Sequence, residues 1–130
     1  MALKIALDTN RYRDFCAGDP VVLGHVQLAE RIFLPFVTLA ELRAGFRCGS
    51  KAGDNERVLQ RFLNRPRVGV LYASDDTTRQ YAQLFAQLRK QGTPIPVNDL
   101  WIASLVMEHG LYLYSRDRHF DHLPQLSLVE

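Results

Sequence analysis

Residues 3–10 read Leu-Lys-Ile-Ala-Leu-Asp-Thr-Asn, a short apolar run that stops at an acid and is followed by two polar residues. The run is too short for a helix and fits a buried strand over 3–7. Asn10 is then the expected cap of a helix running to about Cys16. An acid at the junction of strand and helix matters because the carboxyl ends of parallel strands open into one crevice, where α/β folds bind their ligands.

The same alternation continues outward from this stretch. Asp19-Pro20 predicts an N-cap and a first-turn proline for a helix to about residue 29. Residues 31–34 fit a second strand, closed by Pro35 ahead of a helix that carries Thr38, Glu41 and Leu42 and runs out near Gly45–Gly49. Residues 51–55 form a polar turn, and Asp54 is placed to cap a helix with Val58, Leu59, Phe62 and Leu63 on one face. A third strand over 67–71 leads to a longer helix, capped by Asp75 or Asp76. Its Tyr81, Leu84, Phe85 and Leu88 fall at helical spacing before Gly92 stops it. Prolines 94 and 96 keep the next segment extended. Asn98 is expected to cap a helix that holds Asp99 in its first turn and ends at Gly110. Strands over 111–114 and 126–129, separated by a loop at 115–122, complete a set of four or five. Strands alternating with helices this regularly predict an α/β fold with a parallel sheet covered on both faces. A length of 130 residues fits one domain spanning 1–130.

Composition narrows the function classes. The hydrophobic fraction of 47% is ordinary for a globular chain, and no apolar run approaches the roughly 18–20 residues that span a bilayer. The residues behind Lys4 turn polar at Asp8, which leaves no signal-peptide core. A cytoplasmic protein with no membrane partner is expected. Cys16 and Cys48 read as unpaired, buried or partly buried thiols. The net charge of +2 is small, but nearly all the positive charge is arginine. Arg11, Arg13, Arg43, Arg47, Arg116 and Arg118 flank the acidic patches, and guanidinium binds phosphate in a bidentate way that lysine does not match.

Four acids stand where strands end or helices begin or turn inward: Asp8, Glu41, Asp99 and Asp117. Each has an ordinary role open to it. Asp8 can cap a helix, Glu41 can pair with Arg43 or Arg47, and Asp99 can favour a helix N-terminus. Together they argue for more, because two carboxylates about 4 Å apart repel by roughly 4 kcal/mol at an effective dielectric near 20. A gathered cluster therefore needs protons or a divalent cation. Hard ions such as Mg²⁺ or Mn²⁺ take oxygen ligands and need few protein carboxylates, so the cluster reads as a Mg²⁺ or Mn²⁺ site. Asp117 is the favoured last ligand for its nearness to the strand end, with Asp121 the other candidate. Thr9 and Ser115 offer hydroxyls to water or phosphate. A zinc reading of the Asp117–His122 span lacks four ligands, since His25 and His109 lie in unrelated helices; His119 and Phe120 are expected to pack a short turn under the sheet.

The combination of D-T-N after the first strand, T-L-A-E-L-R-A-G, N-D-L-W-I-A and S-R-D-R-H-F-D-H-L-P, in that order along essentially the whole chain, resembles the PIN domain, specifically its VapC-type toxin branch. The resemblance implies a three-layer α/β/α fold around a parallel sheet of four to five strands. It also implies Mg²⁺- or Mn²⁺-dependent endoribonuclease activity on tRNA or ribosomal RNA, homodimers or a heteromer, and a cognate VapB antitoxin that blocks the site. By position, Asp8, Glu41 and Asp99 match the family's three core acids and Asp117 its more variable fourth, with Thr9, Asn10, Asn98 and Ser115 beside them and the flanking arginines toward RNA. Threonine often stands where this chain has Ser115. The apolar helix faces at 54–64 and 78–90 serve the core and leave some surface for a partner. A receiver-type signalling domain would need an acid pair after the first strand and an aspartate after the third, which this chain lacks. A non-catalytic RNA- or protein-binding module is the remaining alternative, and the four intact acids argue against it.

Overall fold

A computed structural model describes residues 2–130. Five strands, β1 (Lys4–Leu7), β2 (Arg31–Pro35), β3 (Val68–Leu71), β4 (Tyr112–Tyr114) and β5 (Ser127–Leu128), form a single parallel sheet in the order β3-β2-β1-β4-β5. The chain builds outward from β1 to β3, then crosses to the other side of β1 for β4 and β5. The sheet therefore has its topological switch point between β1 and β4, where the strand ends part and leave room for a ligand.

Side chains alternate across this sheet as pleating requires. Ile5, Leu7, Ile32, Leu34 and Tyr114 point to one face, where Tyr12 of α1 (Thr9–Cys16), Val22 and Val26 of α2 (Pro20–Leu28) and Leu59 and Phe62 of α4 (Ala52–Leu63) cover them. Ala6 and Leu113 point the other way, against Leu84 and Leu88 of α5 (Asp75–Gln91) and Ile102, Leu105 and Val106 of α6 (Val97–His109). The helix α3 (Phe36–Cys48) serves both layers, with Val37 on the second face and Leu39 and Leu42 on the first. This is the expected α/β/α arrangement, and it leaves β1, flanked on both sides, fully buried from Ile5 to Leu7.

Helix starts differ from the sequence expectation in an instructive way. Asp8 itself, not Asn10, caps α1 by accepting from the Thr9 backbone N–H at 2.8 Å. Asp54 lies in the first turn of α4, whose N-cap is Lys51, and α5 is capped by Ser74 in a reciprocal bond pattern with Thr77 rather than by Asp75 or Asp76. Helix α6 begins at Val97 with Pro96 at its N-cap, so Asn98 falls inside the first turn. In each case the N-cap, Asp8, Lys51, Ser74 or Pro96, lies one to three residues before the polar residue expected to fill it, because the chain leaves the extended conformation earlier than the expected residue. Asp19 and Pro20 start α2 as expected. Gly92 and Gly110 close α5 and α6 at φ 73° and 61°, left-handed conformations that a β-carbon disfavours. Both cysteines are exposed and free, contrary to the buried thiols expected. No helix among the described residues is long and apolar enough to cross a membrane.

Candidate functional site

The site is built at the carboxyl edge of β1 and β4. Asp8 continues the ladder past β1, donating its backbone N–H to the Tyr114 carbonyl at 3.0 Å, before its side chain turns to cap α1. Ser115, the residue after β4, donates its hydroxyl to Asp8 Oδ2 at 2.6 Å. Ser115 Oγ itself accepts from Asp117 N at 3.0 Å and from Asn10 Nδ2 at 3.4 Å. One serine thus ties the ends of two neighbouring strands together and sets the loop that follows.

Two other segments deliver acids to this edge. Thr38, fully buried in the first turn of α3, donates its hydroxyl to the Leu7 carbonyl at 3.1 Å. That bond anchors α3 over the end of β1, so Glu41, about one turn further on, accepts from the Thr9 hydroxyl at 2.9 Å. Asp99 stands in the first turn of α6, 8% exposed, with Oδ2 2.8 Å from His119 Nδ1. The same nitrogen lies 2.9 Å from Asp117 Oδ1. Asp117 in turn caps the 3₁₀ turn Arg118–His122 by accepting from the His119 N–H at 3.0 Å.

The four acids therefore form two linked sets. Asp8 and Glu41 are bridged through Thr9, while Asp99, Asp117 and His119 bring one ligand atom each to within 4.8 Å of one another. Ser115 connects the sets. Asp8 is held above the usual carboxylate range mainly by burial, with the charges of Glu41 and Asp117 adding and the bonds from Ser115 and Thr9 opposing. Asp99 is pushed up to about 6, again first by burial, against the His119 bond and with the charges of Asp117 and Asp8. The His119 imidazole is held above its ordinary value, chiefly by its bond to Asp99. Carboxylates crowded and desolvated to this degree are poised to accept a cation in place of protons.

Around this centre the expected residues separate. Asp121 does not reach it; its carboxylate pairs with Arg118 at 3.4 Å. Arg11, Arg116 and Arg118 share with Ser115 and Asp117 a cleft of about 540 Å³ beside the acids. Arg11 stacks 4.7 Å from the Tyr114 ring centre, and Arg11 and Arg116 both pair with Asp14, at 3.1 and 3.0 Å. Arg13 lies instead against Gly45 in a separate cleft lined by Tyr12, Cys16 and Phe46, and Arg43 is engaged by Glu56 through two bonds of 3.1 Å. Asn10 orders the Ser115 loop, also accepting from Arg116 N at 3.1 Å, whereas Asn98 is an exposed residue of the first turn of α6. Phe120 is buried under the sheet as expected.

His119 is the correction that matters most. Expected beneath the sheet beside Phe120, it faces the opposite way and meets two site acids. The 3₁₀ turn separates adjacent side chains by a third of a circle, so neighbouring residues cannot share an environment. The available signal was Asp117 two residues earlier, a turn-capping acid that draws the following chain back over itself.

The family model described as PIN domain matches residues 5–126. VapC ribonuclease Y4jK of Sinorhizobium fredii is 33% identical over 122 residues, covering 87% of this chain and 86% of that protein. Ribonuclease VapC5 of Mycobacterium tuberculosis is 29% identical over 108 residues, covering 83% and 80%. Among solved structures, VapBC2 from Rickettsia felis bound to a DNA fragment from its promoter is similar at a TM-score of 0.86 and 27% identity over 98% of each chain. VapBC-1 from nontypeable Haemophilus influenzae gives 0.87 and 26%, also over 98% of each.

Proposed function

The chain belongs to the PIN-domain family, in its VapC branch, and on that premise we propose that residues 1–130 act as a single-domain, Mg²⁺- or Mn²⁺-dependent endoribonuclease, the toxin of a toxin–antitoxin pair in the cytoplasm. The observation that carries the reading is the meeting of Asp8, Glu41, Asp99 and Asp117 at the switch point of a parallel sheet, with Asp99 pushed up to about 6. The donor set fits a hard divalent ion: carboxylate oxygens at the lip of a cleft, which a monovalent side-chain partner offsets only in part. Asp99 and Asp117 would hold the ion directly, with Asp8 and Glu41 close enough for charge and for bonds through water. When bound, such an ion supplies an activated water and offsets charge on the phosphate under attack.

The chain's own residues do the remaining work. Ser115 fixes the Asp8 carboxylate through a 2.6 Å bond, and Thr9 fixes Glu41, so both acids are oriented before substrate arrives. Arg11, Arg116 and Arg118 line the neighbouring cleft and offer guanidinium groups to the RNA backbone. Base-edge readers are not needed for backbone cleavage, which suits a substrate recognised by its shape, such as tRNA or ribosomal RNA. The relatives named VapBC are complexes, and this chain is accordingly proposed to pair with a VapB-type antitoxin and to form a homodimer or a heteromer with it.

The test is direct. Purified protein incubated with total RNA should cleave in MgCl₂ or MnCl₂ and stop in EDTA, and D8N and D99N should each lower cleavage at least a hundredfold while keeping the native circular dichroism spectrum. Wild-type activity in both variants would return the chain to a binding role.

A further inference from the structure

His119 makes contacts that an ordinary surface histidine does not. Its Nδ1 lies 2.8 Å from Asp99 Oδ2 and 2.9 Å from Asp117 Oδ1. A single N–H points along one line, so it bonds well to one of these oxygens and poorly to the other. The hydrogen bond goes to Asp99, while Asp117 Oδ1 already accepts the His119 backbone N–H and meets the ring nitrogen without a bond of its own from it.

The same three atoms suit an ion better. Around a cation with six ligands at about 2.1 Å, neighbouring ligands stand about 3.0 Å apart and opposite ligands about 4.2 Å apart. The two short separations match neighbouring corners, and each of the three residues has a ligand atom within 4.8 Å of one on each of the others. The backbone holds them there. Asp117 is fixed by its N–H to Ser115 and by its cap on the His119 N–H, and Asp99 is buried at the start of α6. Once the Nδ1 proton is displaced by the ion, His119 needs no swing of the loop to offer its lone pair.

We propose that His119 is a ligand, through Nδ1, to the cation held by Asp99 and Asp117, and that this nitrogen makes the site favour first-row transition ions over Mg²⁺. The inference rests on the reading of the acids as a metal site. Its chemistry is that of ligand softness: Mg²⁺ takes oxygen and gives up water reluctantly, whereas imidazole strengthens binding along the series from Mn²⁺ to Co²⁺ and Ni²⁺. An all-carboxylate site has no such handle on ion identity.

The experiment uses the full chain at pH 7.5, titrated calorimetrically with MgCl₂, MnCl₂ and CoCl₂, for wild type, H119A and H119Q. The wild type should bind Co²⁺ and Mn²⁺ more tightly than Mg²⁺. In H119A and H119Q the Kd for Co²⁺ should rise about tenfold or more while that for Mg²⁺ changes less than about twofold. Pulsed electron paramagnetic resonance on the Mn²⁺-loaded wild type should show coupling to a ligand ¹⁴N, absent in H119A. Because that signal is read on the wild type, the proposal stays open to refutation even where a variant folds poorly. Bound Mn²⁺ with no nitrogen coupling, or equal Co²⁺ affinity in folded H119A, overturns the ligand role and leaves an acids-only site standing. A wild type that binds none of the three ions overturns the metal reading itself, and this inference with it.

Discussion

Asp99 carries the clearest electrostatic burden in the molecule. Its carboxyl titrates near 3.8 in an ordinary setting and about 6 here, with burial the first cause. Between those values the folded state holds a proton that the unfolded chain has released, so stability falls as pH rises from about 4 to 6 and the deficit persists above. Asparagine carries no such charge. In EDTA, D99N should match wild type near pH 4 and exceed it by about 1–2 kcal/mol near pH 7, a full two-unit shift being discounted because water reaches the site edge. Urea unfolding at the two pH values reads the difference, and an unchanged gap would show that burial does not strain this acid. Three of the acids were legible in the sequence because each stands beside a recognisable boundary: the end of an apolar run for Asp8 and Asp117, the first turn after two prolines for Asp99; Glu41 showed instead as an acid among apolar residues inside a helix. His119 was not legible, since its partner Asp99 is twenty residues away and their meeting depends on how a 3₁₀ turn rotates. The division of the arginines was equally hidden. Arg11 and Arg13 look alike on paper, yet one lies over Tyr114 beside the acids and the other in a different cleft, because positions two apart on a helix face different ways.

Among the elements, α3 is tied to the end of β1 by one buried bond. The Thr38 hydroxyl and the Leu7 carbonyl are buried, so replacing Thr38 by valine keeps the shape of the side chain but strands an acceptor at the end of β1. T38V should cost about 1–2 kcal/mol in denaturant unfolding. By loosening the helix that carries Glu41 it should also lower RNA cleavage about tenfold or more. A loss of stability with cleavage unchanged would mean that packing of Val37, Leu39 and Leu42 alone aims the helix. A second clamp joins the other layer: Glu108 near the end of α6 accepts from Ser74 at 3.1 Å and from Thr77, both at the start of α5. It keeps the two helices antiparallel and in register, so α6 presents Asp99 at the opposite end. Element type and order were readable throughout, since strands here are short apolar runs and the helices show a 3.6-residue stripe or a left-handed glycine stop. Helix starts were not, because several polar residues compete for each cap and the preceding backbone decides among them.

At the scale of the whole molecule, the order β3-β2-β1-β4-β5 does what no single residue can. It sets the ends of two strands far apart in sequence side by side, with Asp8 and Ser115 bonded across the gap. The alternating pattern foretold a parallel sheet, but strand order is a property of how crossovers pack, and a sequence of helices and strands leaves several orders open. On the proposed reading, induced expression of this chain in a bacterial host should arrest growth within a few generations. D8N and D99N should be harmless, and co-expression of the small partner encoded beside the gene should restore growth; unimpaired growth under wild-type expression would count for a binding module. One more consequence follows from where the pieces lie along the chain. Asp8 is made more than a hundred residues before its serine partner and the last acid. A nascent chain cannot join Asp8 to Ser115 until β4 has left the ribosome and slotted in beside β1, so the site assembles only when segments this far apart have both emerged and paired.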